Sequence, residues 1–132
     1  DILFIIGSES DREQINPAAA TMEERSLSYD LVVYSAHRNL PELSEFLKEN
    51  EKNYRIIITA AGLSAALPGV VASLVKLPVI GIPLIAGPLS GMDALLSILQ
   101  LPKGVPVATM GIGKQGVINS VLLAERILKT EA

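Results

Sequence analysis

ILFIIGSESD, residues 2–11, is the stretch that decides the fold. Its opening run of consecutive apolar residues predicts a strand that is buried on both faces, as strands are in a parallel sheet. Gly7 then allows a tight turn, and the serines and aspartate that follow are typical of a loop that leads into a helix. The stretch therefore predicts the first strand of a parallel sheet, with a polar loop at its carboxyl end.

The rest of the chain alternates between apolar runs and helix-like segments. Further strands are predicted over residues 31–34, 55–59, 78–82 and 105–109. A first helix is predicted from Asn16-Pro17 to residue 26, with asparagine as its cap, and others over 41–49, 64–74, 93–100 and 114–129. Such alternation implies parallel strands joined by right-handed crossovers. We therefore expect an α/β fold, a three-layer α/β/α sandwich around a doubly wound parallel sheet, forming one domain over residues 1–132.

The composition excludes several classes of function. The chain has 11 basic and 14 acidic residues, a net charge of −3 and 4% aromatic residues. This balance argues against a nucleic-acid-binding protein and against a polybasic membrane surface. There is no cysteine, so a disulfide framework, a thiolate zinc site and a cysteine nucleophile are excluded. The lack of cysteine fits a reducing compartment, and we expect a cytoplasmic protein.

The chain is unusually rich in apolar residues. With glycine counted and tyrosine omitted, they make up about 55% of the sequence, against a usual 45–50%. The uncharged run of residues 77–92 contains three prolines and is too short to span a bilayer. We therefore expect the surplus apolar surface to be buried in a homo-oligomer and not in a membrane.

Candidate functional residues follow the first four strands, whose carboxyl ends should meet at one edge of the sheet. The loop after the fourth strand covers residues 83–91. In GSESD, residues 7–11, the hydroxyls suit an anion and the carboxylate suits sugar hydroxyls, although an ordinary helix cap is the alternative. His37 can transfer protons near neutral pH and Arg38 can bind phosphate with two hydrogen bonds. The alternative for this pair is a capping histidine beside a solvated arginine. The small residues at 60–69 suit either close approach of backbone to a ligand or close packing of helices and subunits.

Other familiar site motifs are missing from the sequence. Neither a phosphate-binding P-loop nor the GxGxxG fingerprint is present, and there is no GxSxG nucleophile elbow. The histidine and acidic residues do not have the spacing of metal ligands. The strand-end loops are therefore the part of the chain in which a function should be sought.

Several motifs together resemble one enzyme family. GSESD at 7–11, SAHRN at 35–39, AGLSAALPG at 61–69 and GMDALLSILQLPKGVPVAT at 91–109 are similar to the class I N5-carboxyaminoimidazole ribonucleotide mutases of purine biosynthesis, as is GIGKQGVINSVLLAERIL at 111–128. The resemblance covers nearly the whole chain in the family's order. It implies a flavodoxin-like fold, a homo-octamer and a reaction without metal, ATP or organic cofactor.

The resemblance also implies a reaction and residue roles. The carbamate of N5-carboxyaminoimidazole ribonucleotide loses CO2, which is held beside the ring and added to a ring carbon, giving 4-carboxy-5-aminoimidazole ribonucleotide on the route to IMP. His37 falls on the family's general acid and base, Arg38 and Ser8 on positions for the phosphate and ribose, and Asp11 on a ribose-hydroxyl ligand. PLSGMD at 88–93 is expected to come from a neighbouring subunit and close the pocket. The remaining expected substrate-binding residues are Gly7, Ser10, Ser35, Ala61, Gly62, Leu63 and Leu67.

The chain departs from the family pattern at a few positions, and these keep alternatives open. Many members have a second histidine where this chain has Ala66, and Gly-Ala where it has Leu63-Ser64. An alternative activity is that of the class II enzymes, which carboxylate aminoimidazole ribonucleotide directly with CO2. A ribonucleotide-binding homologue without turnover is the other alternative.

Overall fold

The structure is a computed structural model that describes residues 1–63 and 65–130. Strands and helices alternate along most of its length, joined by short loops and by 3-10 turns at Glu9–Asp11 and Glu51–Asn53. The strands are β1 (Ile2–Ile6), β2 (Tyr29–Val33), β3 (Ile56–Ala61) and β4 (Val79–Pro83). The helices are α1 (Arg12–Glu24), α2 (Leu40–Asn50), α3 (Leu67–Leu74), α4 (Met92–Leu99) and α5 (Lys114–Leu128).

The strands form a parallel sheet in the order β2-β1-β3-β4. Phe4 of β1 lies beside Leu31 of β2 on one side and Ile58 of β3 on the other, and Ile58 in turn lies beside Ile80 of β4. β1 and β3 are buried along their whole length, as their apolar runs predicted. Because all strands run the same way, the loops after β1, β2, β3 and β4 meet at one edge of the sheet.

Each face of the sheet has its own hydrophobic core. On one face, Ile15 of α1 and Val121 of α5 pack with Phe4 and Ile58. On the other face, α2, α3 and the Ala94 methyl of α4 pack with Leu3, Ile5 and their neighbours. The helices therefore form two outer layers, and the predicted three-layer, flavodoxin-like α/β/α fold is confirmed.

The predicted start of the first helix is wrong. α1 begins at Arg12, so Asn16 is not its cap and Pro17 lies inside the helix. The preceding 3-10 turn is capped by Ser8, whose side chain accepts a hydrogen bond from Ser10 N. Ile15 is only 2% exposed, and its burial outweighs the backbone hydrogen bond that Pro17 cannot donate.

The predicted fifth strand is also wrong. Residues 105–109 contribute a single bridge, in which Gly81 N donates to Ala108 O at 2.7 Å and Ala108 N donates to Val79 O at 3.0 Å. The residue that would make the preceding pair of ladder bonds is Pro106, which has no N–H to donate. The segment therefore lies along β4 without becoming a strand.

The other helix and strand boundaries agree with the predictions to within a few residues. The predicted helix start at Ser64 lies outside the described residues, and α3 begins at Leu67. The cap of α4 is Gly91, and residue 93, where this helix was predicted to begin, lies in its first turn. Within residues 1–63 and 65–130, no helix has the length and apolar character needed to cross a membrane.

Candidate functional site

A cavity of about 480 Å³ lies at the carboxyl edge of the sheet, where the loops after the four strands converge. Every residue predicted from the sequence to bind substrate or transfer protons lines this cavity. Three further alanines complete its wall. The lining residues are Gly7, Ser8, Ser10, Asp11, Ser35, Ala36, His37, Arg38, Ala61, Gly62, Leu63, Ala66, Leu67 and Ala86.

The loop after β1 is held by its own serines. Ser8 Oγ accepts a hydrogen bond from Ser10 N at 3.3 Å and lies 2.9 Å from Ser10 Oγ, while Asp11 N donates to Ser8 O at 3.0 Å. This pattern makes Ser8 the cap of the 3-10 turn that precedes α1, whereas the alternative prediction was a serine or aspartate cap on the first helix, whose cap, Asp11, makes no side-chain capping bond. Capping and lining the cavity are compatible, because a hydroxyl has two acceptor sites and one donor.

Asp11 is the acidic group of the cavity. Burial raises the pKa of its carboxyl, and a weaker opposing effect comes from a hydrogen bond with the Ser8 backbone. A Cβ built on Gly7 would lie 3.8 Å from Asp11 Oδ2, so the carboxylate lies over the glycine turn. Glu9, by contrast, pairs with Arg12 on the exposed side of the turn. Asp11 therefore offers carboxylate oxygens to hydroxyl donors inside the cavity.

The loop after β2 is braced by Ser35 and Asn39. Ser35 N donates to Asn39 Oδ1 at 3.2 Å, Asn39 N donates to Ser35 O at 2.8 Å, and Arg38 N donates to Ser35 Oγ at 3.2 Å. His37 and Arg38 lie between these two bracing residues and are exposed. Neither side chain has a hydrogen bond or ion pair with residues 1–63 or 65–130, so the imidazole and the guanidinium face the cavity with their donors uncommitted. The structure thus brings the predicted acid–base group and the predicted phosphate ligand to the same opening.

The third wall is made by the loop after β3 and the start of α3. Gly62 packs closely there, because a Cβ on it would lie 3.0 Å from the Ala86 Cβ. Leu63 has a positive φ of 53° and its side chain is 52% exposed. Ala66 and Leu67 bring the amino end of α3 to the cavity, where its free N–H groups favour an anion.

The sequence did not single out the lining alanines. Ala36 and Ala66 lie within the motifs that were identified, and Ala86 lies in the loop after β4. An alanine contributes only a methyl group and its backbone, so its residue type carries no chemical signal. The segment 88–93, which was expected to close the pocket from a neighbouring subunit, does not line the cavity of its own chain.

Known proteins provide an independent test of the resemblance. The family model AIRC, AIR carboxylase, matches residues 1–132. The N5-carboxyaminoimidazole ribonucleotide mutase of Brucella melitensis is 43% identical over 129 residues, which cover 97% of this chain and 80% of that protein. The protein of the same name from Saccharolobus solfataricus is 46% identical over 128 residues, 96% of this chain and 80% of that protein. The crystal structure of Treponema denticola PurE matches with a TM-score of 0.87 at 30% identity, over 99% of this chain and 81% of that chain. The chain therefore belongs to the AIR carboxylase family.

Proposed function

We propose that this chain, as one catalytic domain, converts N5-carboxyaminoimidazole ribonucleotide to 4-carboxy-5-aminoimidazole ribonucleotide in purine biosynthesis, the activity for which its relatives are named. The observation that carries the proposal is that one cavity joins His37 and Arg38 to the serine and aspartate of the loop after β1. A proton-transfer group, a cation for phosphate and a carboxylate for ribose are the three chemical elements that a ribonucleotide reaction of this kind needs. The expected compartment for the reaction is the cytoplasm.

The cavity residues divide between binding and chemistry. Arg38 and Ser8 bind the phosphate and the ribose side, because a guanidinium and a hydroxyl are hydrogen-bond donors to phosphate oxygens. Asp11 accepts hydrogen bonds from ribose hydroxyls. Ser10 and Ser35 complete the polar side, together with the Gly7 backbone. The imidazole ring of the substrate rests against a wall that is formed by the backbone of Ala61, Gly62 and Leu63 and by the Leu67 side chain.

His37 acts as general acid and then as general base. The bond between the exocyclic nitrogen and the carbamate carbon breaks and releases CO2, and the His37 imidazolium donates its proton to that nitrogen. Ring carbon C4 then forms a bond with the CO2, and the neutral imidazole removes the C4 proton. The histidine ends the cycle protonated, as it began, so no external acid or base is consumed. A proton-transfer group of this kind contributes about 10²–10⁴-fold to the rate.

The reaction as proposed uses no metal, ATP or organic cofactor, and the CO2 stays in the cavity between the two steps. A neutral, apolar molecule is retained best by a closed wall that excludes water. We propose that residues 88–93 of a neighbouring copy supply this closure in a homo-octamer.

The outer face of α4 supports association with further copies. Met92, Leu96 and Leu99 follow one face of α4, Leu89 lies in the turn before the helix, and each is about half exposed. An exposed apolar stripe of this kind fits a neighbouring copy that covers these side chains. Sedimentation velocity of the wild-type chain tests for the octamer, and a monomer would contradict it.

The activity is tested with freshly prepared N5-carboxyaminoimidazole ribonucleotide, with and without bicarbonate. The proposal expects conversion without bicarbonate or ATP, and none with a His37→Asn control. Conversion of aminoimidazole ribonucleotide that appears only at high bicarbonate would assign the direct carboxylase activity instead. Tight ribonucleotide binding without turnover would indicate a non-catalytic homologue.

A further inference from the structure

A side chain of α1 is bonded to the backbone of the loop after β4. Gln14 Nε2 donates to Ile85 O at 2.9 Å, and Ile85 N donates to Gln14 Oε1 at 2.8 Å. The two residues are 71 positions apart in the sequence. The primary amide thus satisfies both polar groups of one backbone residue, as an adjacent strand would.

Ile85 lies between the end of the sheet pairing and the cavity wall. Leu84 N donates to Ala61 O at 2.9 Å, which continues the pairing of β3 and β4 just beyond the end of β4. At Ile85 the backbone hydrogen bonds are made with the Gln14 amide instead of with β3. The next residue, Ala86, lines the cavity. Ala86 packs so closely on Gly62 that a Cβ there would lie 3.0 Å away, so a shift of Ile85 moves one wall of the cavity relative to the other.

We propose that Gln14 is a positioning residue for the ribonucleotide cavity, which it serves by fixing Ile85 and, through it, Ala86 against Gly62. The inference rests on the proposed function, since it assigns Gln14 to the binding of that substrate. Gln14 does not itself line the cavity and acts only through the loop. Both halves of its amide are needed, because Ile85 presents one donor and one acceptor.

The test compares three variants with the wild type. Gln14→Met keeps the length of the side chain and removes both hydrogen bonds. Gln14→Glu keeps an acceptor for Ile85 N and removes the donor to Ile85 O. Gln115→Met makes the same glutamine-to-methionine change at an exposed position of α5 and is the matched control. Each is measured for KM and kcat with N5-carboxyaminoimidazole ribonucleotide, for the exchange rate of the Ile85 amide proton, for affinity towards aminoimidazole ribonucleotide by calorimetry, and for Tm.

Gln14→Met is expected to speed exchange of the Ile85 amide at least about tenfold and to raise KM about tenfold, because a displaced cavity wall loses contact with the bound substrate and about 1.4 kcal/mol of lost binding is tenfold in affinity. The change should leave kcat within about threefold, since the loop contacts substrate equally before and during the reaction. Gln14→Glu should keep much of the Ile85 amide protection and have an intermediate KM, and Gln115→Met should match the wild type. A loss of stability alone would change Tm without this division between KM and kcat.

Other outcomes overturn the inference in distinguishable ways. An active wild type with an unchanged KM in Gln14→Met, whether or not the Ile85 amide becomes exposed, overturns the role of Gln14 and leaves the proposed function intact. If the wild type binds aminoimidazole ribonucleotide without turning over, the proposed activity fails, and an approximately tenfold weaker affinity of Gln14→Met still supports the positioning role. A wild type that neither reacts with nor binds the ribonucleotide overturns both.

Discussion

Replacing Asp11 with asparagine should strengthen the fold and weaken substrate binding. Burial raises the pKa of the Asp11 carboxyl above its ordinary value of 3.8, which means that folding disfavours the charged form. For an acid with a raised folded-state pKa, the penalty is absent below the ordinary pKa, grows as the pH rises above it, and is complete once the pH exceeds the raised pKa. The asparagine side chain carries no charge, so Asp11→Asn is expected to be more stable than the wild type at pH 7. The difference between the two proteins should shrink as the pH falls towards the ordinary pKa.

The same substitution removes one of the two carboxylate oxygens that Asp11 offers to the cavity and puts an amide donor in its place. On the proposed function this eliminates one charge-assisted hydrogen bond from a ribose hydroxyl, which contributes about 1.5–3 kcal/mol. KM should therefore rise about 10- to 150-fold. kcat should change little, because the ribose contact is the same in the ground state and in the transition state.

Steady-state kinetics and thermal unfolding between about pH 4 and pH 8 test both halves of this prediction. Glu13→Gln is a suitable control, because it removes an acidic charge from an exposed residue of α1 that does not line the cavity. A KM within about threefold of the wild type would refute the ribose contact, since even the weakest contact of this class changes affinity about tenfold. A lower Tm of Asp11→Asn at pH 7 would refute the buried-charge argument.

Three further substitutions test the site and its support. His37→Asn should lower kcat at least about 100-fold with little change in nucleotide affinity, as it removes the proton-transfer group; near-normal turnover would contradict its role. Arg38→Ala should raise KM about 10- to 150-fold through loss of a charge-assisted phosphate contact, whereas Arg12→Ala, outside the cavity, should not. Gly116→Ala should lower the free energy of unfolding by about 1–3 kcal/mol, because its Cβ would lie 2.2 Å from Gly111 O; an unchanged denaturation midpoint would show that the segment before α5 moves freely.

Strands whose positions are determined by burial alone could be predicted from the sequence. Local sequence signals gave wrong predictions where tertiary packing or a missing backbone donor overrode them. β1 and β3 lie in the middle of the sheet, so their sequences are runs of mainly apolar residues. Asn16-Pro17 is a good helix start by its local chemistry, but Ile15 packs on the sheet and extends α1 past it. Residues 105–109 have the apolar character of a strand, yet Pro106 cannot donate to the ladder.

The site was predictable because its chemistry lies next to the strands that position it. The GSESD and SAHRN motifs directly follow β1 and β2, and a parallel sheet places such loops at one edge without further information. Ala86 and Gln14 were not predictable in this way. The contact between Gln14 and Ile85 joins residues 71 positions apart, and nothing in either local sequence indicates that a helix side-chain amide and a loop backbone will meet.

The cavity is divided into a polar and an apolar half, and this division suits the proposed reaction. Among the lining residues that the structure describes, the loops after β1 and β2 supply the ionisable and hydroxyl side chains, whereas the loops after β3 and β4 supply backbone and apolar groups. Leu63 belongs to the apolar half and holds a positive φ of 53°, a conformation that costs a residue other than glycine about 1 kcal/mol. Gly87, whose positive φ of 74° favours glycine, lies beside this side chain, since a Cβ there would be 2.7 Å from Leu63 Cδ2. On the proposed mechanism the polar half holds the phosphate and ribose, and the apolar half is where CO2 stays while His37 changes from acid to base.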